Sequence, residues 1–437
     1  MQAIRQIWVN LRSSLWFVPG LMVVSSICLA IFLIEIDSNI KREWLINYPR
    51  LFGLGADGSR GMLTAIAGSM LTVATLAFSL TLSIIAQASG QYSPRVLRNF
   101  MRDRINQFIL GYFVSVFAYS LIILRTIRGD NELTFVPSLG VIIGLVLAIG
   151  GIVVLIFFIH HIASSLQVTN IIKDIEVETV EVIDEIFPEA LGIEAETEQI
   201  RKAKALEDKV SWYKVKAIRS GYIQYVDADN LLNFAVENDL LVRMEYGIGQ
   251  FVTEGTTLVS VSKDPGEDEI SEINSYFDVY RYRTIEQDAG FGIRQIVDIA
   301  LKALSPGIND TTTAIICIDY LGVILSKIAE RQLPAPVRLK DGEIRVLVKS
   351  PTFEGYIETA FDQIRINGKG NLAILVRLLN VFSVIDEKIN SESRKSIVEH
   401  QIKLTRDFAL ETLQTDHEKK SFNRFFAEKL KIINEEK

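Results

Sequence analysis

The first residues whose types could do chemistry together lie late in the chain: Arg281, Arg283, Glu286, Asp288, Asp298, Asn309 and Asp310. Carboxylates among guanidinium groups either pair with them or hold a ligand or cation, and two suitably spaced carboxylates can perform general acid and base work. Glu286 and Asp288 stand two apart, so on a helix they diverge and offer no ready acid and base pair. The chain also lacks a nucleophile elbow, a glycine-rich phosphate loop and zinc-ligand spacing, which argues against a hydrolase, a kinase or ATPase, and a zinc enzyme. No catalysis, cofactor or metal is therefore expected, and the cluster is left with ion pairing, to Arg281, Arg283 or Arg294, or ligand binding.

A second set lies in an uncharged stretch. Ala65, Gly68, Thr72, Thr75, Ser79, Ser83 and Ala86 follow one another at steps of 3 and 4, which puts all seven on one stripe of a helix. Small residues let backbones approach, so the stripe suits a helix-packing seam. It equally suits a pore wall, where hydroxyls replace part of an ion's hydration shell. Gly68, Thr72, Thr75, Ser79 and Ser83 are the pore-lining candidates. A similar ridge of Gly140, Gly144, Ala148 and Gly151 contains no hydroxyl and reads as dry packing.

His160 and His161 end another apolar run, where they would hydrogen-bond at the membrane interface or sense pH. With no Cys or His nearby they lack the ligand set a metal requires. Arg95, Arg98 and Arg102 share helical spacing in a short loop, fitting headgroup contact or an electropositive vestibule.

The elements that carry these residues are visible in the charge pattern. Residues Leu15–Ile34, Met62–Ala86, Phe108–Leu124 and Phe135–Ile159 contain no Asp, Glu, Lys or Arg. At roughly 1.5 Å per residue the first is about 30 Å long, the thickness of a bilayer core. Four spans at about 15–36, 62–87, 108–127 and 135–161 are predicted. They account for a composition of 49% hydrophobic residues beside 23% charged ones, and for a mean hydropathy of +0.25. Two cysteines, Cys28 and Cys317, exclude a disulfide scaffold. Lys and Arg counts on the two sides of the spans tie, but the loop carrying Arg95 to Arg104 is nearly free of acids, which places both termini in the cytoplasm. The net charge is -7, and residues 165–437 carry a net of -12, so that region would repel nucleic acid or an anionic membrane surface, and the expected partner is the lipid bilayer around the four uncharged runs.

Beyond residue 164 the pattern changes. An acidic helical connector (165–211) precedes a small β module (212–263) of short alternating runs at Lys214, Gly221, Asp239 and Thr257. From 264 to 437 helical periodicity dominates, with one strand at Ile344–Val348. Ser305-Pro-Gly breaks the helical run Gly292–Leu304, and Asp310 is placed to cap a second helix, giving a hairpin. The fold class is thus α-helical membrane protein, four transmembrane helices followed by a cytoplasmic α+β domain.

Several phrases resemble one family: Leu15-Trp-Phe-Val-Pro19, Gln91-Tyr-Ser-Pro-Arg95, Phe158-Ile-His-His-Ile162, Arg283-Thr-Ile-Glu-Gln-Asp288 and Ala303-Leu-Ser-Pro-Gly-Ile-Asn-Asp310. The chain looks like a member of the domain-of-unknown-function 2254 family of predicted bacterial membrane proteins, with Thr311 departing from the proline expected there. The resemblance implies a multi-pass protein of the bacterial inner membrane with its large domain in the cytoplasm. The β module separately resembles a biotinyl or lipoyl-like barrel-sandwich, through Gly221-Tyr-Ile, Gly249-Gln-Phe-Val-Thr-Glu-Gly255 and Leu258-Val-Ser-Val. The hairpin that would carry a modified lysine reads Ala235-Val-Glu-Asn-Asp-Leu-Leu-Val, with no lysine, so neither group is expected. A homo-oligomeric channel or transport protein acting on ions, with the soluble domain as assembly or gating ring, is the leading functional expectation. A nonconducting scaffold or sensor is the other.

Overall fold

The computed structural model describes residues 16–39, 55–91, 103–128, 135–165, 167–187, 205–207, 209–285, 287–333, 336–340 and 342–435. The chain divides into two compact units, Met1–Gln167 and Val168–Lys437. It is mostly helical with a smaller sheet-containing region. Among the described residues five helices, one more than the four uncharged runs, are long and apolar enough to cross a membrane.

Four of the five form the first unit: α1 (Phe17–Asn39), α2 (Ala56–Gln91), α3 (Arg104–Thr126) and α4 (Ser138–Ser165). α3 packs against each of the others, and half of its apolar window is buried against 17% for α1, α2 and α4, so it is the central helix. Glycine sets how closely its neighbours approach. A Cβ on Gly111 would lie 2.7 Å from Met22 Sδ of α1, and one on Gly140 of α4 would lie 2.9 Å from Ile123 Cδ1. Gly144 faces Leu63 and Tyr119, and Gly151 faces Met70 and Phe113, so the α4 ridge packs on both α2 and α3. The opposite side of α4 exposes Val146, Ile149, Ile152, Val153 and Ile156.

Polar groups bond from helix to helix, at their ends and along their length. The Asp37 carboxylate accepts from the backbone N–H groups of Leu139 and Gly140 at 3.1 and 3.0 Å, capping α4 from the end of α1. The Tyr119 hydroxyl donates to Gly140 O at 2.7 Å, Tyr112 to Leu147 O at 2.8 Å, and Arg60 Nη2 to Ile127 O at 3.0 Å.

The second unit opens with the acidic connector, α5 (Val168–Ile186). It is followed by β1 (Tyr213–Lys216), β2 (Gly221–Val226), α6 (Ala228–Glu237), β3 (Val242–Met244), β4 (Phe251–Val252) and β5 (Thr257–Val261). Next come α7 (Glu267–Ser275), β6 (Phe277–Tyr280), α8 (Ala289–Ala303), α9 (Thr311–Glu330), β7 (Val337–Lys340) and β8 (Glu343–Leu347). The helices α10 (Phe353–Asn367), α11 (Leu372–Glu387), α12 (Glu392–Thr412) and α13 (Asp416–Glu435) complete it. One sheet has the order β1-β5-β3-β8-β7 and the other β4-β2-β6. β3 and β8 run parallel, Val242 opposite Val346, while the other pairs are antiparallel.

This arrangement does not bear out a barrel-sandwich closed within residues 212–263, and the segment 235–242 expected there as a lysine-free hairpin is only partly strand. Ala235–Glu237 close helix α6, capped by Asp227, and the chain then turns through Asp239 (φ 49°) into β3. Both sheets need strands from beyond residue 263: β6 covers one edge of β2, and β8 with β7 covers β3. Isolated short strands leave their backbone groups unpaired, so these distant segments are recruited to finish the ladders.

α5, α8, α10 and α11 pack around α9, whose Ala314, Cys317, Ile318, Leu321, Ile324, Leu325 and Ile328 are buried. α5 packs on α8 and α9 through Ile172, Ile175, Thr179 and Ile183. At the α5 to α8 crossing a Cβ on Gly292 would lie 1.9 Å from Thr179 Oγ1 and 3.0 Å from Thr179 Cβ. Gly292→Ala is therefore expected to destabilise the second unit by about 1–3 kcal/mol through overpacking. Thr179→Ala on that background should recover most of the loss, read as the denaturation midpoint of the full chain; no recovery would show that the contact does not limit the crossing.

Candidate functional site

The α2 stripe faces outward. Gly68, Thr72, Thr75, Ser79 and Ser83 are all exposed, and a Cβ on Gly68 would meet nothing within 4 Å. The face that packs on the rest of the first unit is instead Leu63, Ile66, Ala67, Met70, Ala74 and Ala77. The stripe is thus no packing seam within the first unit. The Thr72 and Thr75 hydroxyls donate to Gly68 O and Leu71 O of their own helix, each at 2.9 Å. Their hydrogens are satisfied locally, and the oxygens remain able to accept.

His160 is exposed, while His161 is half-buried and its Nε2 lies 2.6 Å from Asp103 Oδ2. Asp103 also caps α3 by accepting from Ile105 N at 2.9 Å, so this one carboxylate ties the end of α4 to the start of α3. Arg95, Arg98 and Glu286 lie outside the described residues.

The later charged cluster is not one site. α8 runs between its two halves, and its 15 residues are about 22 Å long at 1.5 Å each. At the first end Arg283 grips Asp288, its Nε at 2.9 Å and Nη2 at 2.6 Å from Oδ2. Asp288 Oδ1 accepts from Phe291 N at 3.1 Å, capping α8. The guanidinium also lies over the Phe291 ring, 5.2 Å from its centroid. Burial pushes the Asp288 carboxyl above the usual carboxylate range, and Arg283 and the helix N–H groups work against that rise. Gly249 closes this cradle. Its φ is +80°, and a Cβ there would lie 2.1 Å from Asp288 Oδ2, so no other residue type can occupy the position without displacing the pair.

Asp298 sits mid-helix and pairs with Arg294 one turn earlier at 3.0 Å. At the far end Asn309 adopts φ 49°, which short polar side chains tolerate, and Asp310 N donates to Ala303 O at 2.8 Å. The Asp310 carboxylate accepts from Thr313 N at 3.0 Å and from the Thr313 hydroxyl at 2.6 Å, capping α9. These bonds hold the Asp310 carboxyl below the usual range. Sequence spacing anticipated the Asp310 cap but not the two features that finish the Asp288 site, Gly249 and the ring of Tyr356 beside Gly290. Both come from distant segments, and only the Gly247-Ile-Gly249 pattern hinted at a tight turn.

Among the described residues no three or more His, Cys, Asp or Glu side chains are grouped to hold a metal ion. Among the described residues, helices long and apolar enough to cross a membrane, four of them in the first unit, are what a membrane protein requires. The chain belongs to the family described as predicted membrane protein (DUF2254), which it matches over residues 12–383. It is 32% identical over 415 residues to uncharacterized proteins of Mycobacterium tuberculosis and Mycobacterium bovis, a stretch covering 92% of this chain and 78% of each relative. No solved structure matches it.

Asp310→Ala is expected to lower the stability of the second unit by about 0.5–2 kcal/mol at neutral pH. Because the folded carboxyl titrates below its unfolded value, the wild-type advantage is present above the unfolded pKa and is lost as pH falls through the folded one. Denaturation midpoints of both proteins between pH 7 and 3 test this; a deficit that does not shrink in acid would mean that the carboxylate does not act as the cap.

Proposed function

We propose that the protein is a homo-oligomeric channel or transport protein for ions, in which copies of α2 meet around an axis with Gly68, Thr72, Thr75, Ser79 and Ser83 facing it. The observation that carries this reading is the outward placement of the stripe: α2 already packs on its own unit through another face, and the polar stripe is left over. Lipid gains nothing from a row of glycine and hydroxyls, whereas a second copy or a water path does. The lipid-facing side of α4 shows the contrast, being Val and Ile throughout its middle.

In this reading α1 to α4 span the bacterial inner membrane and α9 does not. α9 carries Asp319, paired with Arg377, and Lys327, paired with Asp184 at 3.2 Å. Its last carbonyls accept from the buried Arg394, at 3.2 Å for Ile328, 3.1 Å for Ala329 and 2.9 Å for Arg331. Such charges are expensive in hydrocarbon and ordinary inside a folded domain. The second unit then serves as a cytoplasmic assembly or gating domain without catalytic activity. A nonconducting scaffold is favoured by one observation, that the Thr72 and Thr75 hydroxyls already bond to their own helix and need no water.

Single cysteines in a Cys28→Ser, Cys317→Ala background separate the two. Thr75→Cys and Ser79→Cys should react with a small water-soluble thiol reagent and change ion flux in reconstituted vesicles, while Leu80→Cys stays protected. Inert positions and a protein that conducts nothing at any voltage or pH would leave the scaffold reading. Orientation is tested on the same background: Glu267→Cys, at the exposed start of α7, should be shielded from an impermeant thiol reagent in intact cells, and labelling from outside would reverse the topology.

A further inference from the structure

A cavity of about 720 Å³ lies on the second unit between α5, α9 and α11. Its size falls well inside the range of small-molecule sites, roughly 300 to 1,000 Å³. Val180 of α5, Val323 of α9, and Val381 and Val384 of α11 give it apolar walls. Val323 and Val384 are left 51% and 48% exposed, and a ligand laid along them removes that surface from water. Gly322 lets α9 and α11 meet beneath: a Cβ there would lie 2.8 Å from Val381 Cγ1.

Most charges of the lining are already neutralised. Asp319 is paired with Arg377, Lys388 with Glu330 at 3.2 Å, and Lys327 with Asp184 at 3.2 Å, an acid that Arg331 also grips. Three polar groups remain, one on each helix, and among the described residues none of them makes a hydrogen bond or ion pair: Glu176, Ser326 and Asn380. The Ser326 hydroxyl is buried, which leaves Glu176 and Asn380 to address a ligand.

Glu176 is half-buried. Burial pushes its carboxyl above the usual carboxylate range, and the field of the exposed Lys173, one turn earlier, opposes that rise without closing to an ion pair. α5 carries six acids to this one lysine, so the field along the helix also favours a positive ligand. A carboxylate held partly out of water without a partner is stabilised by a cation placed beside it, and an amide oxygen can accept a second N–H of an ammonium group.

We propose that this cavity binds a small organic cation, its ammonium group at the Glu176 carboxylate and the Asn380 amide oxygen, its apolar body along Val323, Val381 and Val384. The site is independent of the α2 stripe, and it stands whether or not the protein conducts.

The probe is 2-phenylethylamine at neutral pH, titrated calorimetrically into the full chain in phosphatidylcholine nanodiscs, with empty nanodiscs as the blank and the neutral 2-phenylethanol as the isosteric control. Saturable binding of the amine is expected, with the alcohol at least about tenfold weaker because it lacks the charge-assisted bond. Glu176→Gln should weaken the amine by about tenfold or more and bring amine and alcohol together, while Asn380→Leu should weaken the amine by about threefold through loss of one hydrogen bond. Should Glu176→Gln fail to fold, Val323→Lys changes only an exposed wall residue and must still weaken the amine more than the alcohol. No saturable binding of the amine, equal affinities for amine and alcohol in the wild type, or unchanged amine affinity in any of the folded variants would each overturn the proposal.

Discussion

A helix surrounded by hydrocarbon gains nothing by hiding leucine from lipid, so the first unit is held by how closely its backbones approach. That closeness depends on α3 and the glycines around it. Gly111 admits Pro19 and Met22 of α1, Gly140 admits Ile123, and Gly144 and Gly151 bring α4 down on Tyr119, Phe113 and the inner face of α2. Once the helices are that near, their polar groups can reach across. Asp37 supplies the acceptor that the first N–H groups of α4 lack, and Tyr119 and Tyr112 donate to carbonyls of α4. Enlarging any of these glycines would separate the helices and also leave those bonds unmade where water cannot replace them. With the inner faces so committed, the outward stripe of α2 is what remains to be explained, which is why the functional reading rests there.

Much of this architecture was legible because hydrocarbon imposes a crude and strong rule. Four uncharged runs announced four helices of the first unit, and the structure lengthens them into their charged flanks, α2 starting at Ala56 and α3 at Arg104. The strand near Ile344 and the caps at Asp310 were readable because each is specified by a few consecutive residues. What escaped was set by distant partners. β6 and β7 are short, and they become strands only because β2 and β8 offer open edges. Helix α6 was hidden inside a stretch of β pattern, and its apolar residues Leu231, Phe234 and Ala235 have helical spacing only when read apart from the strand that follows. The direction in which the α2 stripe points could not be read either, since both a stripe of small residues and a stripe of Ile66, Met70 and Ala74 suit helix contact, and only the whole bundle selects one.

In the second unit the same capping chemistry appears twice with opposite electrostatic consequences. Asp288 starts α8 and Asp310 starts α9, each accepting from the backbone N–H three residues on. Asp310 is exposed, so solvation remains available and its hydrogen bonds decide the outcome, keeping it ionised. Asp288 is 9% exposed, so desolvation outweighs the same kind of bonds, and a guanidinium has to be brought in beside it. A buried pair of this kind contributes little net stability compared with an apolar substitute, but losing one partner costs about 3–5 kcal/mol. Its value is therefore positional: Arg283, Asp288 and Gly249 fit one another in only one arrangement, which fixes the β4 turn against the start of α8. The two acids also answer pH in opposite senses. Acidification removes the stability that ionised Asp310 contributes, whereas Asp288, whose folded carboxyl holds its proton more tightly than the unfolded one, costs stability as pH rises through that interval. The helix hairpin is consequently less sensitive to mild acid than two exposed caps would make it.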